Sequence, residues 1–333
     1  MRRGSIVRIS IYGVLVGIVA SAVAVLVPWL PTSASEEMDR IEFTFWFTTV
    51  ICIAVFSVVA AAIIYSILKF RVQPEDESDG PPIHGHTGLE IVWTAIPAVL
   101  VTAISIVSAV VLAKNDDAGP NPLRIAVTAQ QFAWKFEYPG KSKVASGQLV
   151  LPVNVPAKLT LNSVDVIHSF WVPEFGQKSD AVPGIQTTLV ITPNRTGQFA
   201  LMCTELCGLG HSTMRAHVRV VSRADYNRFL TNASAGASEN PGKAAFTTAG
   251  CGSCHTFTPA GSDAQVGPSL DAIKPPAGKP LDEFIHESIL EPDAVVAAGF
   301  RPGVMPKTFG QTLSDEQLDA LVQYLVDGQK GSK

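Results

Sequence analysis

The chain has 333 residues, of which 47% are hydrophobic and only 16% charged, and its formal net charge is -4. A chain of this length can form two or three domains that each bury a core. The low charged fraction is typical of a protein with membrane segments, and the weak negative charge excludes a basic nucleic-acid-binding protein. The apolar excess lies almost wholly before residue 114, so the sequence predicts a membrane part followed by water-soluble parts.

The first segment begins with Arg2, Arg3 and Arg8, continues with an apolar run over residues 9–30 and ends in the small-residue stretch PTSAS. This pattern is typical of a secretory signal peptide. The apolar run is long for a signal, however, and also suits a membrane span. We therefore expect residues 1–35 to be a cleaved signal peptide or a first transmembrane helix.

Two further apolar runs, over residues 43–68 and 89–113, are each long enough to cross a bilayer. Lys69 and Arg71 follow the first of these runs. Because basic residues favour the cytoplasmic side, the connecting loop is predicted inside and everything after residue 113 outside. The sequence thus predicts a transmembrane helical hairpin over residues 40–113.

Short β-rich runs broken by Pro and Gly fill residues 120–222, among them LRIAVTAQ, FAWKFEY, KLTLNSV, QFALMC and AHVRVV. Regularly spaced short strands predict an antiparallel sandwich or a Greek-key barrel. Such folds often carry their function on the loops between strands.

One such loop reads CTELCGLGHSTM and contains Cys203, Cys207, His211 and Met214, while His168 lies upstream in VDVIHSFWVP. Thiolates, a thioether and imidazoles together suit copper, and a second thiolate permits the bridging of two copper ions. Zinc is an alternative for two cysteines and two histidines, but it leaves Met214 unexplained. A disulfide between the two cysteines is the other alternative for an exported domain.

The run CGSCH, with Cys251, Cys254 and His255, is typical of c-type haem attachment, in which two thiols bind the vinyl groups and the histidine binds the iron. Small and polar residues precede it, in TNASAGASENPG, and predict a flexible linker over residues 223–242.

An amphipathic helix is predicted over residues 314–327, with Ser314 and Gln317 as its capping box. Met305 is the only methionine after the Cys-rich loop and is the candidate sixth ligand of the iron. His286, on another predicted helix, is the alternative.

Residues 40–222 resemble subunit II of the haem-copper cytochrome c oxidases. The resemblance is carried by the C-x-E-x-C-G-x-x-H-x-x-M pattern, the upstream His168 and the hairpin. Residues 240–330 resemble a class I cytochrome c, and the fused plan resembles subunit II of caa3-type oxidases. The resemblance implies a multidomain membrane protein with a transmembrane α-helical hairpin, an all-β cupredoxin (Greek-key) domain at 120–222, a linker at 223–242 and an all-α cytochrome c domain at 243–330.

The same resemblance implies the binuclear copper A centre in the β domain. Its ligands would be the side chains of His168, Cys203, Cys207, His211 and Met214 and the backbone carbonyl of Glu205. The side chain of Glu205 would reach a magnesium ion shared with subunit I. For haem c it implies covalent attachment at Cys251 and Cys254, axial ligation by His255 and Met305, and support of the histidine by the carbonyl of Pro268.

The segment QQFAWKFEYP resembles the family's aromatic stretch beside copper A, so Trp134 and Phe132 are the expected electron-transfer aromatics. Phe132 stands where many members have the tryptophan through which electrons arrive, which leaves open where a soluble cytochrome would dock. Phe136 and Tyr138 are expected in the core.

The resemblance implies a subunit of the aerobic respiratory chain's cytochrome-c oxidase, a translocase in the bacterial plasma membrane. Electrons would pass from a donor such as a cytochrome c or a bc1-type complex to haem c, to copper A and then to subunit I. There oxygen becomes water and protons are pumped, so no residue of this chain would itself be catalytic. Subunit III is a further expected partner, and both soluble domains would lie on the outer (periplasmic or extracellular) side.

Two alternatives come from other classes, namely a quinol-oxidase-like subunit II and a copper-delivery or storage protein. The regional charges are +3 over residues 114–222 and -4 over residues 223–333. They predict that the cytochrome domain docks electrostatically on the copper domain.

Overall fold

The computed structural model describes residues 3–71, 75, 82, 84–140 and 144–330, and the chain forms two compact units. The first unit comprises the described parts of Met1–Thr32 and Asp39–Lys114. The second comprises those of Ser33–Met38 and Asn115–Lys333.

In the described part of the first unit there are three long apolar helices, namely α1 (Arg3–Leu26), α2 (Glu36–Lys69) and α3 (Thr87–Asp116). Each is long and apolar enough to cross a membrane. At a rise of about 1.5 Å per residue, a helix of 20 residues already spans the roughly 30 Å hydrocarbon core. The predicted hairpin corresponds to α2 and α3. The structure has a helix within residues 1–35, and the choice between a signal peptide and a retained helix stays a prediction.

Small residues bring α1 and α2 together. A Cβ atom placed on Gly17 would lie 3.2 Å from Ser57 Oγ, and one placed on Gly13 would lie 3.6 Å from the Cβ of Ala61. The Ser57 hydroxyl donates a hydrogen bond to the carbonyl of Ile53 at 2.6 Å, so it is satisfied within its own helix. Close backbone approach is a common basis of helix packing in membranes, because lipid gives helices no hydrophobic reason to associate.

Among the described residues, the β domain of the second unit has ten strands: β1 (Leu123–Gln130), β2 (Ala133–Tyr138), β3 (Val144–Ser146), β4 (Leu149–Pro152), β5 (Ala157–Ser163), β6 (His168–Trp171), β7 (Lys178–Ala181), β8 (Thr187–Ile191), β9 (Gly197–Cys203) and β10 (Arg215–Val221). They make two five-stranded sheets with the orders β3-β2-β1-β5-β8 and β4-β10-β9-β6-β7. The predicted cupredoxin architecture is confirmed.

The sheets are mixed rather than purely antiparallel as the sequence predicts. β1 runs parallel to β5, and β4 runs parallel to β10. The chain leaves the first sheet after β3, adds β4 to the second sheet and returns for β5. Because β4 lies in the other sheet, β1 and β5 can pair in the same direction although they are not consecutive in sequence.

The core lies between the two sheets. Side chains of β5 alternate between buried and half-buried positions along the whole strand, as expected for a strand with one face on the core. Trp134, Phe136 and Phe170 are among the largest fully buried side chains, and Tyr138 is also buried. The expectation of core positions for Phe136 and Tyr138 is confirmed.

The prediction of a flexible linker at residues 223–242 is wrong over most of its length, because Arg223–Glu239 form helix α4. Ser222 Oγ accepts a hydrogen bond from the Asp225 amide at 3.1 Å and caps the helix. The ring of Phe229 meets that of Tyr138 edge to face, with centroids 5.4 Å apart, and Tyr226 is buried beside them. An aromatic contact with the β domain thus fixes a segment whose small polar residues predict mobility.

The last part of the chain contains α5 (Pro241–Thr248), α6 (Leu281–Leu290), α7 (Phe309–Thr312) and α8 (Asp315–Lys330), with a short hairpin of β11 (Thr256–Phe257) and β12 (Ser262–Asp263). These helices share a second hydrophobic core that includes Phe246 and Phe257. The predicted terminal helix is confirmed together with its cap. The Gln317 amide donates to Ser314 Oγ at 3.3 Å, and the Ser314 amide donates to Gln317 Oε1 at 3.0 Å.

We expect Tyr226→Ala to release α4 from the β domain, because losing a buried aromatic side chain costs about 3–5 kcal/mol. Hydrogen exchange of the backbone amides of α4 should increase strongly. Tyr226→Phe is the matched control, since the Tyr226 hydroxyl is buried with no hydrogen-bond partner among the described residues, and its removal should leave exchange unchanged. Equal exchange in the two variants would show that this contact does not hold the helix.

Candidate metal centre and haem-binding segment

The Cys-rich loop connects two paired strands of the second sheet. β9 ends at Cys203, β10 begins at Arg215, and the two strands are antiparallel neighbours. The Cys203 amide donates to the Met214 carbonyl at 3.1 Å, which closes the base of the loop. Both residues are buried, so the hairpin itself places a thiol and a thioether side by side inside the domain.

Four further candidate donors lie around the two thiols, which makes six in all. Around Cys203 Sγ lie the Glu205 carbonyl oxygen at 3.3 Å and His168 Nδ1 at 3.9 Å, while around Cys207 Sγ lie His211 Nδ1 at 3.4 Å and Met214 Sδ at 3.8 Å. The two sulfur atoms are 3.8 Å apart and unbonded. Each thiol therefore has one imidazole and one weaker donor beside it, and soft donors of this kind suit copper ions.

His168 reaches the loop from the neighbouring strand. β6 pairs with β9 so that Phe170 lies opposite Cys203, and His168 is fully buried. Its Nε2 hydrogen-bonds Asp165 Oδ1 at 2.8 Å, which leaves Nδ1 facing the Cys203 sulfur. A carboxylate behind a metal-binding histidine is a common way to fix the orientation of the ring.

The pKa values of the two thiols are shifted in opposite directions. Burial acts to raise the pKa of Cys203, but hydrogen bonds with His168 and with the backbone at Glu205 outweigh it and lower the value to about 6. Burial and the adjacent negative charge of Cys203 raise the pKa of Cys207 to about 12. A neighbouring cation would favour ionisation of the second thiol, and soft donors of this kind fit copper ions.

Asp165 and Gln131 support the loop, and the sequence reasoning missed both. Gln131 Nε2 donates to the Cys207 carbonyl at 2.6 Å, while the Gln131 amide donates to Asp165 Oδ2 at 2.7 Å. Asp165 stands three residues before His168 in a turn, and that spacing was the available signal. Nothing local in the sequence marks Gln131, whose partners are 34 and 76 residues away.

The two aromatics singled out in the sequence flank the site. The ring of Trp134 meets the His168 ring edge to face, with centroids 6.2 Å apart. Phe132 is buried against the Cys-rich loop, where a Cβ on Gly210 would lie 2.4 Å from Phe132 Cδ2. Glycine at position 210 therefore allows the ring to lie directly on the loop.

The CGSCH segment forms a tight turn over Cys251–Ser253, and His255 follows it. His255 Nδ1 hydrogen-bonds the Pro268 carbonyl at 2.7 Å, so the support expected from Pro268 is present. Burial lowers the pKa of His255, against a smaller opposing effect of that hydrogen bond, which keeps the imidazole neutral as iron ligation requires. A Cβ on Gly267 would lie 2.5 Å from the ring, so only glycine leaves room for it.

The two candidates for the sixth ligand are placed differently. Met305 is partly buried and packs against the core of the helical part, whereas His286 is exposed on α6. These surroundings favour Met305 over His286.

A membrane-anchored β domain with a cluster of soft donors, joined to a haem-attachment segment, defines a membrane-bound electron-transfer protein. The sequence matches the family profiles of cytochrome c oxidase subunit II, transmembrane domain, over residues 22–111, of cytochrome c oxidase subunit II, periplasmic domain, over 141–221, and of cytochrome c over 240–329. The chain belongs to the cytochrome c oxidase subunit II family, in the form fused to a cytochrome c domain.

Several proteins are similar to this chain over most of its length. Cytochrome c oxidase subunit 2 of Alkalihalophilus pseudofirmus is 31% identical, over 83% of this chain and 84% of the relative. The protein of the same description from Synechocystis is 30% identical, over 62% of this chain and 77% of the relative. Quinol oxidase subunit 2 of Bacillus cereus is 28% identical, over 62% of this chain and 72% of the relative.

We expect Gly267→Ala to push the His255 ring away from the Pro268 carbonyl, because overpacking of this kind costs about 1–3 kcal/mol. The low-spin haem spectrum of the oxidised protein should weaken. Gly310→Ala is the control, since its new Cβ would meet only the end of the Leu290 side chain, at 3.3 Å. An unchanged haem spectrum in Gly267→Ala would contradict a fixed position of the ring.

Proposed function

We propose that this chain is the subunit through which electrons come into a proton-pumping cytochrome c oxidase of the aerobic respiratory chain. The observation that carries the proposal is the convergence of two thiols, two imidazoles, a thioether and a carbonyl in one buried loop site, on a chain that also has a haem-attachment motif. When bound, a copper pair and haem c each accept and release one electron. Electrons would move from haem c to copper A and then to subunit I, where oxygen is reduced to water.

For copper A we propose a ligand set made of the two cysteine sulfurs and the donors that lie beside each of them. The thiolates of Cys203 and Cys207, whose sulfur atoms are 3.8 Å apart, would both hold the copper ions. The set is completed by His168, His211, Met214 and the backbone carbonyl of Glu205. The closed base of the loop and the buried ring of His168 support this assignment, because they hold the donors in place and keep water away from them.

For haem c we propose attachment through Cys251 and Cys254, with His255 and Met305 as the axial ligands. The hydrogen bond between His255 Nδ1 and the Pro268 carbonyl leaves Nε2 free for the iron. Trp134 and Phe132 would act as the aromatics beside the copper site, supported by their contacts with His168 and with the Cys-rich loop.

The side chain of Glu205 is exposed although its carbonyl faces Cys203. We propose that this carboxylate reaches a magnesium ion at the contact with subunit I. A hard carboxylate oxygen is a suitable magnesium ligand, and the exposure of Glu205 leaves it available to a partner subunit.

We propose the following division of the chain: residues 1–35 as signal peptide or first transmembrane helix, 40–113 as the hairpin, 120–222 as the copper A domain, 223–242 as a helical connection and 243–330 as the cytochrome c domain. Subunit II associates with other oxidase subunits, and subunits I and III are the proposed neighbours. The proposed donor to haem c is a cytochrome c or a bc1-type complex. The setting is the bacterial plasma membrane, with both soluble domains outside.

The two alternatives from other classes fit the donor set less well. A quinol-oxidase-like subunit II needs no copper ligands, whereas all six candidate donors are present and close together. A copper-delivery or storage protein needs no covalent haem, and the CGSCH motif would then have no purpose.

The metal content tests the proposal. The purified full chain should contain two copper ions per haem c, with an EPR signal of one electron shared between two copper nuclei. Cys207→Ser should abolish that signal and leave the haem spectrum intact. Cys52→Ser is the control because Cys52 is exposed on α2, away from the loop. One copper ion per chain, or a Cys203–Cys207 disulfide, would overturn the proposal.

We expect Asp165→Asn to weaken copper binding by about 10–100-fold, the usual cost of losing the group behind a metal-binding histidine. Asp165 accepts hydrogen bonds from His168 Nε2 and from the Gln131 amide, and the amide group of asparagine reproduces these only in part. Equilibrium dialysis of copper against the full chain measures the change. Asp180→Asn, at an exposed position of β7, should bind copper as the wild type does. Equal affinities would contradict the role of Asp165.

A further inference from the structure

The haem-binding segment lies directly against the turn between β1 and β2. Gln130 Nε2, at the end of β1, donates to the Ala249 carbonyl at 3.1 Å, and this hydrogen bond is buried. Ala249 immediately precedes Gly250 and the CGSCH motif. The segment that carries the haem-attachment cysteines is therefore packed on the β domain.

The closest approach joins two small residues. A Cβ placed on Gly250 would lie only 2.1 Å from the Cβ of Ala133, while the next atoms, Ala133 Cα and Ser253 Oγ, would be 3.5 and 3.9 Å away. Real Cβ atoms do not approach to 2.1 Å, so the contact exists only because position 250 is glycine. Gly250 also has a φ of 75°, a left-handed conformation that glycine adopts without strain.

Two further contacts surround this pair. The Thr213 side chain, which belongs to the Cys-rich loop, lies beside the Cys254 side chain. A Cβ on Gly147, just before β4, would lie 2.9 Å from the Thr247 carbonyl oxygen of α5. The groups in these contacts are uncharged, which differs from the electrostatic docking that the regional charges predict.

The same turn touches the copper-binding loop on its other side. Gln131 donates to the Cys207 carbonyl, and Phe132 lies on Gly210. The four residues 130–133 are thus divided between the two proposed cofactor sites. Gln130 and Ala133 contact the haem-binding segment, and the two residues between them contact the metal loop.

We propose that Ala133 and Gly250 are a docking pair. Their contact holds the haem-binding segment on the turn that supports the copper loop, so that the fused cytochrome stays docked as the electron donor. This inference rests on the proposed function and deepens it. One electron leaves the reduced haem and one arrives at the copper centre, with no proton or bond transferred. The pair positions the two sites and takes no part in ligation. Because Phe132 is buried, an external donor would deliver its electron to the haem and not beside Phe132.

Exchanging the side-chain sizes of Ala133 and Gly250 tests the docking pair. Gly250→Ala introduces a Cβ that clashes with the Cβ of Ala133, and the double variant Gly250→Ala with Ala133→Gly removes the clash, leaving the nearest remaining atom at 3.5 Å. Gly261→Ala is the matched control. Gly261 has nearly the same backbone angles, φ 75° and ψ 26° against φ 75° and ψ 20° for Gly250, and a Cβ there would meet nothing within 4 Å. It reproduces the backbone strain without the clash.

Two readouts on the full chain are compared. The first is the rate of haem-to-copper electron transfer after photoreduction of the haem, and the second is hydrogen exchange of the amides over residues 130–134 and 247–254. We expect Gly250→Ala to slow transfer by roughly tenfold or more, since small misplacements of reacting groups have effects of this size. Exchange should rise in both segments. The double variant should recover both properties, and Gly261→Ala should change neither.

The dependence of the transfer rate on ionic strength is an independent test of the docking pair. Contacts between uncharged buried groups are screened little by salt, so the wild-type transfer rate should stay within about twofold between low and high salt. Equal behaviour of Gly250→Ala and Gly261→Ala, or no recovery in the double variant, would overturn the docking pair. A strong dependence of the transfer rate on salt would overturn the docking pair and support electrostatic docking instead. The proposed function fails separately, by absence of the two-copper and haem c signals in the wild type.

Discussion

Two thiols held 3.8 Å apart inside a β domain are the constraint on which this protein depends. Cys203 ionises readily because an imidazole and backbone groups stabilise its thiolate, and that charge then makes ionisation of Cys207 costly. Copper ions held by these two residues, as proposed, would offset both negative charges. The surrounding fold keeps the candidate donors close together.

Each part of the fold near the site serves to place a donor. The β9–β10 hairpin closes the loop, β6 brings His168 from the adjacent strand, and the turn after β1 holds the loop through Gln131. The same turn receives the haem-binding segment through Gln130. One short turn thus links the supports of both proposed cofactor sites, and a single rigid element can fix their separation more reliably than two independent loops.

The connection between the two soluble domains is a packed helix, which changes how the fusion works. A flexible tether would raise the local concentration of the cytochrome to the order of mM and leave it to search for its partner. Helix α4 is instead fixed by the aromatic contacts of Tyr226 and Phe229 with Tyr138. Ordering the connection removes most of that search, so the donor and acceptor need only the short contact made by small residues to remain aligned.

The sequence by itself determined the transmembrane hairpin, most of the strands of the β domain, the haem motif and the candidate donor set. Each of these follows from local periodicity, segment length or residue chemistry over a few positions. Only the tertiary structure decided the parallel strand pairs, the roles of Asp165 and Gln131, the ordering of α4 and the contact of Ala133 with Gly250. These depend on residues from 3 to about 120 positions apart, whose proximity is set by the packing of whole elements. Ala and Gly in particular carry no chemical signal until the backbone of another segment lies against them.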